Sequence, residues 1–245
     1  MSAINFIECR DLYKSFGEKA VLQGVNLTVE RGETMVILGG SGSGKTVLLK
    51  HMNGLIGPES GEVYLDGLAI SRMEEDDLTK VRKKVAMVFQ GCALFDSMTV
   101  GENIAYPLQE HTSLSPEEIR SRVEEALSLV GLEACDEFYP AELSGGMKKR
   151  AALARAVVMR PEALLYDEPT TGLDPMMTHR INLLIRELKK KMAVTSVVVT
   201  HDLQSAFVVA DRLAFLQKGQ IRFVGTRQEF QATTDLALHE FLTGE

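Results

Sequence analysis

Gly39-Gly40-Ser41-Gly42-Ser43-Gly44-Lys45-Thr46 lies between Glu33-Thr34-Met35-Val36-Ile37-Leu38 and Val47-Leu48-Leu49-Lys50-His51-Met52. The apolar run before it reads as a buried strand, and the residues after it read as a helix opening near Gly44. That is the context a phosphate-binding loop requires. Glycines reach backbone conformations closed to residues bearing a Cβ, so successive N–H groups turn inward to form a concave anion site. Lys45 supplies a point charge for the β and γ phosphate oxygens, Thr46 a hydroxyl for Mg²⁺, and the helix the positive end of its dipole. These residues predict a nucleotide-binding α/β fold with its ligand at the carboxyl ends of parallel strands.

Further along, Ala163-Leu164-Leu165-Tyr166 is a short apolar run suited to a central parallel strand, and it ends in Asp167-Glu168. Adjacent strand residues point opposite ways, so Asp167 is expected to face the metal and Glu168 to be offset toward the γ-phosphate as a base for the attacking water. Val197-Val198-Val199-Thr200 is a β-branched run that delivers His201 to another strand end. His51, His111, His179 and His239 lack such a setting and read as surface or core residues. Gln90 follows Val85-Ala86-Met87-Val88-Phe89, where its amide oxygen could join the Mg²⁺ coordination. In Leu12-Tyr13-Lys14-Ser15-Phe16-Gly17, Phe16 is the choice for a ring stacked on a base, with Tyr13 and a core aromatic as alternatives.

Taken in order, the phosphate loop, Gln90, Leu143-Ser144-Gly145-Gly146-Met147, Asp167-Glu168, Pro169-Thr170-Thr171-Gly172-Leu173-Asp174 and Thr200-His201-Asp202 resemble the ATP-binding subunit of an ABC transporter. The resemblance covers nearly the whole chain. It implies a P-loop NTPase core with an antiparallel β layer, residues 1–89 and 161–245, and an inserted α-helical subdomain, residues 90–160. It implies a homodimer in which Ser144, Gly145 and Gly146 of one subunit close on the ATP held by another, with Asp174 in the loop linking the two sites. Lys45, Gln90, Glu168 and His201 are the catalytic set it implies, with Thr46, Gln90 and Asp167 on Mg²⁺ and an integral membrane permease as partner.

A narrower resemblance rests on Gln90-Gly91-Cys92-Ala93-Leu94-Phe95-Asp96-Ser97-Met98-Thr99-Val100 and on Met147 after the signature glycines. Both are similar to ATPases of Mla-type phospholipid transporters, which work with MCE lipid-binding proteins. The implied place is the cytoplasmic face of the inner membrane, bound through the permease. In two respects the chain departs: Thr171-Gly172-Leu173-Asp174 is closer to ordinary ABC proteins, and the sequence ends at Glu245 without the long tail of some Mla ATPases. That puts contacts through such a tail, and dependence on a small STAS-domain partner, in doubt. Uptake of a polar nutrient such as an amino acid, and a soluble non-transport ABC role, are the competing readings.

Composition excludes other classes. A length of 245 residues suffices for a buried core. A formal charge of −7 argues against a nucleic-acid binder, whose phosphate contacts need a basic face. The three cysteines Cys9, Cys92 and Cys135 have no metal spacing and read as reduced thiols. No apolar stretch reaches a membrane span, and Met1 to Arg10 carries a glutamate where a signal peptide would be apolar. Arg82-Lys83-Lys84, Lys148-Lys149-Arg150 and Lys189-Lys190-Lys191 are expected to be solvated helix faces. Leu94, Phe95 and Met98 form an apolar loop expected to receive a short helix of the permease.

Overall fold

The computed structural model describes residues 5–243. Strands β1 (Asn5–Phe16) and β2 (Lys19–Glu30) form a long antiparallel hairpin. The antiparallel β layer expected within residues 1–89 is thus present from Asn5 onward. Strand β3 (Thr34–Leu38) then crosses to a second sheet and leads through the glycine loop into α1 (Lys45–Met52). β4 (Ser60–Leu65) and β5 (Leu68–Ala69) return to the first sheet, giving the order β2-β1-β4-β5.

After α2 (Glu75–Lys84) and β6 (Val85–Val88), the chain enters the helical insert: α3 (Val100–His111), α4 (Pro116–Leu129) and α5 (Gly145–Val157). It returns through β7 (Ala163–Asp167), α6 (Pro175–Met192), β8 (Thr195–Thr200), α7 (Leu203–Val209), β9 (Arg212–Gln217), β10 (Gln220–Gly225), α8 (Arg227–Gln231) and α9 (Leu236–Thr243). The second sheet has the order β10-β9-β3-β8-β7-β6, parallel from β9 to β6 with β10 as an antiparallel edge.

Every residue of β3, β7 and β8 is buried, because both faces of the parallel sheet are covered. On one face Met35, Ile37, Leu165 and Val199 pack with the antiparallel layer and α1. On the other, Val36, Leu38, Tyr166 and Val198 share one continuous core with Ile104, Val123 and Leu153 of the insert. Helix ends follow local chemistry. Thr99 with Glu102 and Ser115 with Glu118 form capping boxes that satisfy the first N–H groups of α3 and α4, and Pro116 starts α4. Gly131, with φ 66°, ends α4 as its sequence position suggests.

The basic clusters are solvated at Lys84, Lys190 and Lys191, as expected, but one residue of each turns toward the protein. Arg82 pairs with Glu75 and donates to the Gly54 carbonyl, and Lys189 pairs with Asp211. Lys149 is buried at 6% exposure. It lies with Ala152, Leu153 and Ala156 on one inward stripe of α5.

Candidate nucleotide site

The glycine loop is built by close approach. A Cβ on Gly39 would fall 2.4 Å from the Leu216 carbonyl oxygen and 2.7 Å from Ser43 Oγ. Gly44, at φ 106°, is the N-cap of α1, a left-handed position that bulkier residues rarely take. Gly40, Ser41 and Gly42 face solvent and, with Ser43, line one wall of a cleft of about 640 Å³. Phe215 to Lys218 and residues Ala237, Glu240 and Phe241 of α9 form the other walls. Ser43 Oγ is buried without a hydrogen-bond partner in the protein. An orphaned hydroxyl in a glycine-rich loop that opens a helix fits an anionic ligand.

Five of the expected side chains converge behind the loop. Lys45, 7% exposed, donates to the carbonyl oxygens of Gly39 at 2.8 Å and Gly40 at 3.1 Å, and its ammonium lies 3.5 Å from Glu168 Oε1. Thr46 Oγ1 donates to Asp167 Oδ1 at 2.8 Å. His201 Nδ1 lies 3.0 Å from both carboxylate oxygens of Glu168. Burial pushes the Asp167 carboxyl above the ordinary carboxylate range and the neighbouring Glu168 adds to the rise, while the Thr46 hydrogen bond, Lys50 and Lys45 oppose it. Adjacent hydroxyl and carboxylate oxygens form a donor set suited to Mg²⁺.

Strand alternation does not account for Glu168. β7 ends at Asp167, and Glu168 has φ 45°, so it is the turn out of the strand that aims its carboxylate back at Lys45. Both carboxylates thereby reach the loop from one strand end, where alternation would have sent them to opposite sides.

Other expected residues stand apart. Ser144 caps α5, accepting from Met147 N at 3.3 Å, and Ser144 and Gly145 are exposed. Among the described residues no hydrogen bond joins Ser144, Gly145 or Gly146 to Gly39–Thr46 of the same chain. Asp174 caps α6, its Oδ1 accepting from Met177 N at 3.0 Å. Phe16 is 53% exposed at the end of β1, with the Lys14 ammonium 5.5 Å from its ring centre. Tyr13 instead lies across β2, its hydroxyl oxygen 2.8 Å from where a Cβ of Gly24 would be. Phe16 is the freer ring.

Gln90 is exposed, and its carbonyl accepts from buried Lys149 at 2.5 Å. Arg155 donates to the carbonyls of Ala93 at 2.8 Å and Cys92 at 2.9 Å. The following loop is not free: fully buried Asn103 bonds Phe95 N and the carbonyls of Phe95, Met98 and Thr99. Leu94 packs on the core and Phe95 is 43% exposed, edge-on to Tyr106 at 5.1 Å. Lys149 was expected on a solvated face, and Asn103 and Arg155 were given no role by the sequence reading, although Asn103 and Lys149 lie on the buried sides of their helices.

The model of the family described as ABC transporter matches residues 22–171, from within β2 to the loop after β7. The chain belongs to that family. The ABC ATPase is 41% identical over 243 residues to the intermembrane phospholipid transport system ATP-binding protein MlaF of Escherichia coli K12, covering 99% of this chain and 90% of MlaF. It is 40% identical over 238 residues to the probable ribonucleotide transport ATP-binding protein mkl of Mycobacterium tuberculosis, covering 97% of this chain and 66% of mkl. Among solved structures, the cassette matches a dimeric ATP-binding cassette in a post-hydrolysis state bound to ADP and Pi with TM-score 0.83 and 35% identity, covering 90% and 98% of the two chains. As an ABC cassette it binds ATP, dimerises and serves a membrane permease. No described helix is long and apolar enough to cross a membrane.

Proposed function

We propose that this ATPase drives phospholipid movement through a permease linked to an MCE lipid-binding protein, from the cytoplasmic face of the inner membrane. The observation that carries the reading is the 41% identity to MlaF over 99% of the chain, together with the Gln90–Val100 segment and Met147. A solvent-facing cleft of about 450 Å³ between α2, β6, α3 and α5, lined by Lys83, Met87, Phe89, Pro107 and Met159, adjoins that segment and offers the permease a contact face.

Within the site, the loop amides and Lys45 hold the β and γ phosphates, Thr46 and Asp167 hold Mg²⁺ with the Gln90 amide, and Phe16 stacks on adenine. The Mg²⁺ ion would neutralise charge on the β and γ oxygens. Glu168 accepts the proton of the attacking water, and His201, now bonded to Glu168, turns to the γ-phosphate. Ser144, Gly145, Gly146 and Asp174 act across the dimer. The exposure of Ser144, Gly145 and Asp174 supports that reading.

The test is reconstitution of the ATPase with the permease encoded beside it in liposomes carrying a fluorescent phospholipid. ATP-dependent lipid transfer is expected, absent with Glu168→Gln. The name of mkl favours a polar substrate as the second reading. ATP-dependent accumulation of a ribonucleotide without lipid transfer would replace the lipid proposal.

A further inference from the structure

The carboxylate of Glu168 is held by two hydroxyls from different segments. Thr200 Oγ1, at the end of β8, lies 3.2 Å from Glu168 Oε2, and Thr171 Oγ1, in the loop after β7, lies 3.2 Å from the same oxygen. Thr200 is 1% exposed, so its hydroxyl has to find its partners within the protein. Its direction is fixed by chemistry. Thr200 Oγ1 accepts the amide proton of Asp202 at 3.1 Å, leaving its single hydroxyl proton to donate to the carboxylate. The Glu168 backbone is tied to the same strand, its N–H donating to the Val199 carbonyl at 2.9 Å, while the Thr171 N–H donates to the Glu168 carbonyl at 3.3 Å.

The two oxygens of Glu168 thus face different surroundings. Oε2 is occupied by two threonine hydroxyls and Oε1 faces Lys45 at 3.5 Å, with His201 Nδ1 shared between them at 3.0 Å from each. We infer that Thr171 and Thr200 are positioning residues that anchor Oε2 and leave Oε1 as the oxygen that takes the proton of the attacking water. A carboxylate at a left-handed residue, reached by a turn, has no strand to aim it, and two hydroxyls from separate segments supply the aim. Because Thr171 sits between Glu168 and Asp174, a shift of that loop on dimer closure reaches the base through a single hydroxyl. This inference rests on Glu168 being the base.

The experiment is steady-state hydrolysis of Mg–ATP by the full chain carrying Thr200→Val, Thr171→Val, Thr200→Ser, Thr171→Ser or Glu168→Gln, with ATP titrated for each. Valine keeps the shape and removes the hydroxyl. A hydrogen bond to a charged group corresponds to roughly a tenfold or larger effect, so each Val variant should lose about tenfold in kcat. KM for ATP should stay within about twofold, since neither hydroxyl is part of the phosphate loop. Both Ser variants should recover kcat, which a packing role of the threonine methyl would not allow. Should Thr200→Val fail to fold, the half-buried Thr171 pair decides. Val variants with wild-type kcat beside an inactive Glu168→Gln overturn the inference and leave the base in place. Ser variants as slow as Val, or a rise in KM equal to the fall in kcat, also overturn it. Wild-type turnover by Glu168→Gln would remove the base assignment itself.

Discussion

Replacing Lys149 with Met tests whether α5 grips the loop at Gln90 or merely packs beneath it. In the native protein the Lys149 ammonium is withdrawn from water and donates to the Gln90 carbonyl at 2.5 Å. Two opposing terms decide the outcome. Burying an ammonium costs several kcal/mol, which its partner offsets only in part, and Met keeps the aliphatic stem while removing that cost. The Gln90 carbonyl sits on an exposed residue and regains water when the lysine is gone. Global stability should therefore change by less than about 1 kcal/mol, or roughly 2–4 °C in Tm for a chain of this size. Locally, a charge-assisted bond of about 1.5–3 kcal/mol is lost between loop and helix. Hydrogen exchange by mass spectrometry reads this directly. Amides at 90–92, among them Cys92 N–H bonded to the Phe89 carbonyl at 2.9 Å, should exchange about tenfold or more faster, while β7 and α5 keep their protection. Unchanged exchange in this segment, or a fall in Tm beyond about 10 °C, would refute the argument.

Glu168→Gln should keep ATP binding and lower turnover by roughly two to four decades, with ATP trapping a dimer visible by size exclusion. Asp167→Asn should raise the Tm of the nucleotide-free protein by about 2–4 °C near neutral pH while abolishing Mg²⁺-dependent hydrolysis. The sign follows from burial. A carboxyl raised above its unfolded value binds protons more readily in the folded state, so its contribution falls as pH rises through that raised value, and the variant's Tm should decline less over the same interval. Native alkylation should label Cys135 first and spare Cys9, whose thiol burial pushes up to about 12, and rapid modification of Cys9 detected by mass spectrometry would contradict that burial. Ser144→Arg should leave ATP binding in each subunit intact and block closure of the dimer. Mixed with Lys45→Ala it should restore at most one composite site, and full wild-type turnover in the mixture would place the signature within its own subunit.

Much of the fold was legible because its central strands are short apolar runs ending in chemistry: Leu38 before the glycine loop, Tyr166 before Asp167, and Val199 before Thr200-His201. Those features depend on local composition and spacing. Glu168 was located but not aimed, since period-two reasoning holds only while the residue remains in a strand, and a φ of 45° is invisible to it. Thr171 and Thr200 reach Glu168 from positions 3 and 32 residues away in sequence, and only the parallel pairing of β7 with β8 brings the second of them there. Lys149 was misread because three consecutive basic residues suggest a solvated face. Placing it seven residues before Ala156 on the buried stripe would have identified it as the one that points inward.

The buried charges of the site are satisfied by one another. Lys45 is satisfied by the Gly39 and Gly40 carbonyls and by Glu168, and Thr46 is satisfied by Asp167. Lys45, Thr46, Asp167 and Glu168 are thus each paired with another member of the site. Removing one partner from such a set leaves an uncompensated buried charge, which costs more than the pair contributes. A phosphate at the loop would compete with Glu168 for the Lys45 ammonium, whereas the threonine hydroxyls bond the other carboxylate oxygen.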